Sequence, residues 1–235
     1  MENKTSNQQN QYLQFSKHNR KMQSPAENSK TWNKLVDWYD QTFMHDLRYK
    51  SCYDRFLELL SVQNSSVLEI GCGPGNIADY MLSLRADLKW TGIDYAPAMV
   101  KRAAKNCPQA EFMVLDAREL KTWRRKFDAL MLGFCIPYFS PAELCDYLPA
   151  WLKRVNANGL VYLSFVEGDP SLSGTKVSSS GLACDFYYYR SETIEQALAD
   201  CGAKIEYIEK ILYPKSNNQI ETHIIIIARS PFIKQ

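Results

Sequence analysis

Three glycines at alternate positions, Gly71, Gly73 and Gly75, break the segment Val67 to Leu82 (VLEIGCGPGNIADYML) between an apolar run of strand length and an apolar pattern at helical spacing. The pattern predicts strand, tight turn, helix. Glycines let a backbone turn at positive φ and let a ligand lie against bare main chain. The helix start leaves unpaired N–H groups facing the turn, which suits a nucleotide or another ligand carrying negative charge. The dinucleotide fingerprint G-x-G-x-x-G needs a third glycine where Asn76 stands, so that match is incomplete. Glu69 lies inside the apolar strand, two places before the first glycine. A carboxylate is rarely buried without a partner, and this one, at the carboxyl end of a strand, is offered to a cationic group.

Two more apolar runs end in acids. The segment from Leu88 to Pro97 predicts a strand ending at Asp94, followed by a helix opened by Pro97 and Met99. Asp94 suits the two hydroxyls of a ribose, a device NAD enzymes share, and it equally suits a turn or helix cap. Tyr95 and Met99 are placed either to pack on an adenine face or to join the core. The run from Ala110 to Ala117 predicts a third strand, ending in Asp116 and Ala117.

The motif E-I-G-C-G-P-G, residues 69–75, resembles motif I of the class I S-adenosylmethionine-dependent methyltransferases, in particular small-molecule members of type 11/25. The acids at the next two strand ends strengthen the resemblance, which covers roughly residues 35–230. It implies an α/β, Rossmann-like fold: a seven-stranded, mostly parallel sheet with helices on both faces and an antiparallel C-terminal strand. It also implies S-adenosylmethionine as cofactor and S-adenosylhomocysteine as product. Glu69 is then expected to organise the methionine end over Gly71, Cys72, Gly73 and Gly75, with Asp94 on the ribose, Tyr95 and Met99 on the adenine, and Asp116 with the Ala117 N–H on the adenine edge. Tyr39, late in a helix spanning Thr31 to Met44, is expected to reach the cofactor carboxylate. Phe134 ends the fourth strand, Phe127 to Phe134, where the methyl group is expected to emerge.

At 235 residues and 46% hydrophobic, the chain suits one sizeable domain. We expect that domain over residues 31–235, preceded by a polar, partly mobile arm over 1–30 that is either a loose terminus or a lid with Tyr12 and Phe15 as its contacts. Seven scattered cysteines without a C-x-x-C pair argue against structural zinc, and no metal is expected. No run is long and apolar enough to span a bilayer, and the N-terminus has no signal-peptide pattern, so a cytoplasmic protein without membrane contact is expected. Net charge is only +2, and nucleic acid is not the expected partner. After the fourth strand the sequence is Cys135-Ile-Pro-Tyr138, lacking both the Asp/Asn-Pro-Pro-aromatic motif of amino-methylating nucleic-acid enzymes and a cysteine directly after proline.

Elsewhere the pattern predicts a helix from Tyr49 to Leu60, a helix capped by Ser140 and Glu143 and running to Val155, a fifth strand from Gly159 to Val166, and a terminal hairpin of Lys204 to Tyr213 with Thr222 to Arg229. The insert from Glu167 to Arg190 is the expected source of acceptor specificity. Tyr187 to Tyr189 read either as an edge strand or as part of an aromatic substrate wall. Tyr138, Glu167 and Tyr187 are the candidate acceptor contacts. None of the three histidines lies at an expected strand end, so no catalytic base is assigned. The function expected is methyl transfer to a small molecule at N, O, S or C, by a monomer or homodimer. The alternatives are a nicotinamide-dependent oxidoreductase and a non-catalytic S-adenosylmethionine-binding protein.

Overall fold

The computed structural model describes residues 24–177, 182–215 and 219–231. The expected arm contacts Tyr12 and Phe15 lie outside these residues.

The first helix, α1 (Pro25–Phe43), starts earlier than expected because Ser24 and Glu27 form a reciprocal capping box with proline at the first turn. Helix α2 (Lys50–Leu59) follows, then β1 (Ser66–Ile70), α3 (Asn76–Leu84), β2 (Lys89–Asp94), α4 (Pro97–Asn106), β3 (Glu111–Val114) and β4 (Phe127–Leu132). The second half contains α5 (Pro141–Leu152), β5 (Val155–Glu167), a ribbon of β6 (Gly174–Val177) and β7 (Ala183–Phe186), α6 (Ser191–Asp200), β8 (Lys204–Pro214) and β9 (Ile220–Arg229). The seven-stranded sheet has the order β3-β2-β1-β4-β5-β9-β8. Pairs among β1 to β5 are parallel, while β9 is antiparallel to both β5 and β8. This is the doubly wound sheet with a terminal hairpin that the resemblance implies.

Strand parity divides the core. Leu68 and Ile70 face a layer closed by Leu144, Leu148 and Trp151 of α5 and Ile194 and Leu198 of α6. Val67 faces the opposite layer, with Cys52, Tyr53 and Phe56 of α2 and Ala78 and Met81 of α3. Central strands covered on both faces read as unbroken apolar runs, as in β9, buried from His223 to Ala228. Edge strand β8 instead alternates between exposed and half-buried positions.

Other segments also differ from expectation. Val155 opens β5 instead of closing α5, and the β4–β5 pairing is irregular between Phe127 and Ala129. Tyr187 to Tyr189 form no edge strand; Tyr189 alone makes a parallel bridge to Glu167 at the end of β5. The segment is tied instead to the loop after β4: the Tyr187 N–H donates to the Pro137 carbonyl at 2.7 Å, and the Tyr189 hydroxyl donates to the Phe139 carbonyl.

Candidate active site

The glycine turn is pinned to β2 before any ligand is considered. The N–H groups of Gly71 and Cys72 both donate to the Ile93 carbonyl, at 2.8 and 3.0 Å. Gly71, Gly73 and Gly75 have φ of +71°, +51° and +87°. The Gly73 N–H donates to Asp94 Oδ2 at 3.0 Å, and Asp94 Oδ1 accepts the Ala96 N–H at 2.8 Å. Asp94 therefore shapes the turn and the start of α4 while lining a cavity. Gly75 caps α3, and a Cβ there would stand 3.2 Å from Ala103 of α4. Gly75→Ala should cost about 1–2 kcal/mol of stability, the scale of forcing a side chain into the left-handed region, read as a lower urea midpoint with unchanged slope.

Two adjoining cavities open at the carboxyl ends of the strands, at the topological switch point between β1 and β4, where ligands of open α/β sheets bind. The first lies over Gly71 and Gly73 and is lined by Asp94, Tyr95, Met99, Asp116, Ala117 and Phe134, with Asn28, Trp32 and Tyr39 of α1 above. The second, of about 640 Å³, shares Trp32, Tyr39, Gly71, Gly73, Phe134 and Tyr138 with the first and extends past Glu69 to Asp46, Tyr49, Phe186, Tyr188, Tyr213 and His223. The sheet supplies the floor of both, and α1 forms the roof. The helix expected over Thr31 to Met44 thus covers the site, with Tyr39 facing both cavities.

Four expected contacts line neither cavity. The Cys72 side chain packs against the β2 backbone, where a Cβ on Gly92 would meet it at 2.9 Å. Gly75 faces Ala103. Glu167 points to the far side of the hairpin and pairs with Lys210 at 3.3 Å. Tyr187 packs into the α5–α6 core layer. Its neighbours Phe186 and Tyr188 face the second cavity instead.

Two buried carboxylates set the electrostatics around the glycine turn. Glu69 is 1% exposed and accepts a hydrogen bond from Trp90 Nε1 at 2.8 Å. Burial, with a smaller contribution from the charge of Asp94, pushes its carboxyl up to about 8. Burial likewise raises Asp94 to about 6, against the hydrogen bonds from Ala96 and Gly73. Among the described residues neither carboxylate is in an ion pair. Asn28 Oδ1, buried at the roof, has no hydrogen-bond partner among them either. Asp116 is engaged differently: it accepts the Arg118 N–H at 2.9 Å and pairs with the Arg118 guanidinium, which also holds Glu143.

Phe134 sits where the two cavities meet, at φ +50°, a conformation that side chains rarely adopt and that recurs at functional sites. Its N–H donates to Ser164 Oγ at 2.9 Å. Its ring centroid lies 5.0 Å from Tyr49 and 5.0 Å from His223.

Trp90, Asn28 and His223 were missed in the sequence. His223 carried a usable signal, the one that singled out Glu69: a polar residue beside an unbroken buried run, here Ile224 to Ile227.

A family model described as a methyltransferase domain matches residues 67–159, the span from β1 into β5. Over these residues the chain matches a methyltransferase domain, set in the fold of the class I enzymes. A protein of Invertebrate iridescent virus 6 named as a methyltransferase is 33% identical over 93 residues, 40% of this chain and 35% of that protein. Demethylmenaquinone methyltransferase of Thermotoga maritima is 34% identical over 87 residues, 37% of this chain and 38% of that protein. The matched part thus spans little more than a third of these curated relatives. In fold, the methyltransferase domain is similar to 1,6-didemethyltoxoflavin-N1-methyltransferase of Burkholderia thailandensis, solved with 1,6-didemethyltoxoflavin and S-adenosylhomocysteine, at a TM-score of 0.67 and 14% identity over 91% of this chain and 93% of that one. No helix among the described residues of the methyltransferase domain is long and apolar enough to cross a membrane.

Proposed function

We propose that the chain transfers a methyl group from S-adenosylmethionine to a small-molecule acceptor, leaving S-adenosylhomocysteine. The observation that carries this reading is the pair of buried carboxylates, Glu69 and Asp94, set around a glycine turn without cationic partners. A ligand with an ammonium group, a positive sulfur and a ribose completes such a site; a dinucleotide, which brings a pyrophosphate, does not.

In this reading Glu69 receives the amino end, Gly71 and Gly73 lie beneath it, Asp94 holds the ribose, and Tyr95, Met99, Asp116 and Ala117 enclose the adenine. Asn28 adds an acceptor from the roof. When bound, the cofactor supplies a methyl group on a sulfonium. The chain's own contribution is to hold an acceptor in line at the junction marked by Phe134 and Tyr138, and to exclude water by closing α1 over it. The aromatic walls of the second cavity suit a flat acceptor. We further take the chain to be cytoplasmic and to act as a monomer or homodimer.

A thermal-shift panel of S-adenosylmethionine, S-adenosylhomocysteine, NADH and ATP tests the reading. Stabilisation by the two sulfur ligands is expected; a shift with NADH alone overturns it.

The raised carboxyls give a pH dependence. The ligand-free folded chain binds more protons than the unfolded one between about pH 4 and 8. The stability these two groups contribute is complete below the unfolded values and is lost as pH rises through about 6 and then about 8. S-adenosylmethionine needs them ionised, so its affinity should rise over the same window and its binding at pH 7 should release protons. Calorimetry in buffers of different ionisation enthalpy measures that release; identical heats in all buffers would place the carboxylates outside the site.

A further inference from the structure

The wall of the second cavity opposite the glycine turn carries a buried polar array that cofactor binding does not use. His223 is 5% exposed and lines the cavity. Its Nδ1 lies 2.7 Å from the Tyr49 hydroxyl. Its Nε2 has no hydrogen-bond partner among the described residues, and the Glu221 carboxylate is 3.6 Å away, beyond hydrogen-bonding distance. Tyr213 stacks on the imidazole with centroids 4.6 Å apart.

The charges facing this ring are already matched. Asp46 pairs with Arg48, whose guanidinium lies over Tyr213, and Glu221 pairs with Lys215 at 2.7 Å. The neighbouring His223 ring and the hydrogen bond from Lys215 hold the Glu221 carboxyl down to about 2, so it is ionised throughout the working range. Burial keeps the Tyr49 hydroxyl protonated. In the Nδ1–H tautomer, which the 2.7 Å contact with the Tyr49 oxygen allows, Nε2 is the open acceptor, and a proton arriving there forms an imidazolium beside Glu221.

We propose that the second cavity takes a flat aromatic acceptor bearing a hydroxyl group, and that His223 receives the proton of that hydroxyl. The proposal rests on the methyl-transfer reading above. The acceptor's O–H bond breaks and its proton passes to Nε2. The oxygen's electron pair forms the new O–CH₃ bond as the S–CH₃ bond breaks, and the electrons of that bond stay on sulfur, which becomes neutral. Tyr138, Phe186, Tyr188 and Tyr213 suit a planar ring. The buried base selects the hydroxyl: a carboxylate is ionised already, and an amine attacks through its lone pair, whereas a phenol is a weak nucleophile until its proton leaves.

The test uses 4-nitrophenol and 2-naphthol, whose ionised forms differ optically from the neutral ones, titrated into the S-adenosylhomocysteine-loaded protein over a pH series. Bound phenol should ionise at lower proton concentration thresholds when the base is absent, that is, His223→Asn should raise its apparent pKa by about one unit or more. With S-adenosylmethionine, His223→Asn should slow methylation of the same phenols about 100-fold or more, the scale of a general base, with S-adenosylhomocysteine affinity within about twofold of wild type as measured by calorimetry. The proposal is overturned if neither phenol binds the loaded protein, if wild type and variant ionise the bound phenol alike, or if benzoate or aniline is methylated while the phenols are not. Should His223→Asn not fold, Tyr49→Phe carries the test: loss of the ionisation shift supports the proposal and an unchanged shift overturns it. Failure of wild type to bind S-adenosylhomocysteine, seen before any phenol is added, removes the methyl-transfer reading itself.

Discussion

Trp151→Ala is expected to lower the stability of the fold by about 3–5 kcal/mol, the range for truncating a buried aromatic. Trp151 is fully buried beneath the sheet, with its ring centroid 4.9 Å from that of Phe139. Its Nε1 donates to the Ala117 carbonyl at 2.9 Å. Truncation leaves both a cavity and an unpaired buried carbonyl. The damage should also reach ligand binding, because Ala117 and Phe139 line the first cavity. Urea unfolding followed by circular dichroism measures the loss, and S-adenosylhomocysteine affinity measured well below the unfolding midpoint should fall as well. Trp151→Phe keeps most of the volume and loses the donor, so it should cost about 1–3 kcal/mol. A cost for the alanine variant below about 1 kcal/mol would mean that the layer collapses around the gap.

Asp94→Ala should weaken S-adenosylmethionine binding by about 1–3 kcal/mol, the scale for hydrogen bonds to a charged group, or roughly 5- to 150-fold in Kd. The carboxylate has two tasks, and the variant removes both: a proposed acceptor for the ribose, and the anchor of the Gly73 and Ala96 N–H groups. Asp94→Asn separates them. The amide keeps an oxygen for one backbone N–H but brings no negative charge, so affinity should fall while the fold is largely kept. Binding to Asp94→Asn should also lose whatever part of the proton release comes from this residue. Unchanged affinity in a folded Asp94→Ala protein would remove Asp94 from the site.

The parts of the site that were legible in the sequence are those written along the strands. Glu69, Asp94 and Asp116 each follow an apolar run, and the parallel register brings the three strand ends to one edge of the sheet. What folds across that edge was not legible. Tyr187 and Tyr188 are indistinguishable by type, and only the tie between the Tyr187 N–H and Pro137 decides which of them turns inward. Glu167 ends β5 much as the other acids end their strands, but the antiparallel hairpin beside it supplies Lys210 and draws it away. His223 opens an antiparallel strand, so its position near the start of β9 puts it at the same edge that the parallel strands reach with their ends. Sequence separation conceals that meeting: Tyr49 and His223 come together from nearly opposite ends of the described chain.

The only buried residues of α1 are Asn28 and Thr31. Its aromatic side chains, among them Trp32 and Tyr39, look onto the two cavities. The helix is moored by polar contacts: Ser29 to the Tyr95 carbonyl, Thr31 to the Ala183 carbonyl, Asn33 to the Ala98 N–H, and Asp37 and Asp40 to Arg102. On the proposed function, bound molecules should therefore supply the hydrophobic contacts that this segment lacks. Once the chamber empties, the part of this mooring that dissolved ions screen is the pairing of Asp37 and Asp40 with Arg102. On the proposed function, raised ionic strength should then shorten the residence of S-adenosylhomocysteine while the sheet below stands unchanged.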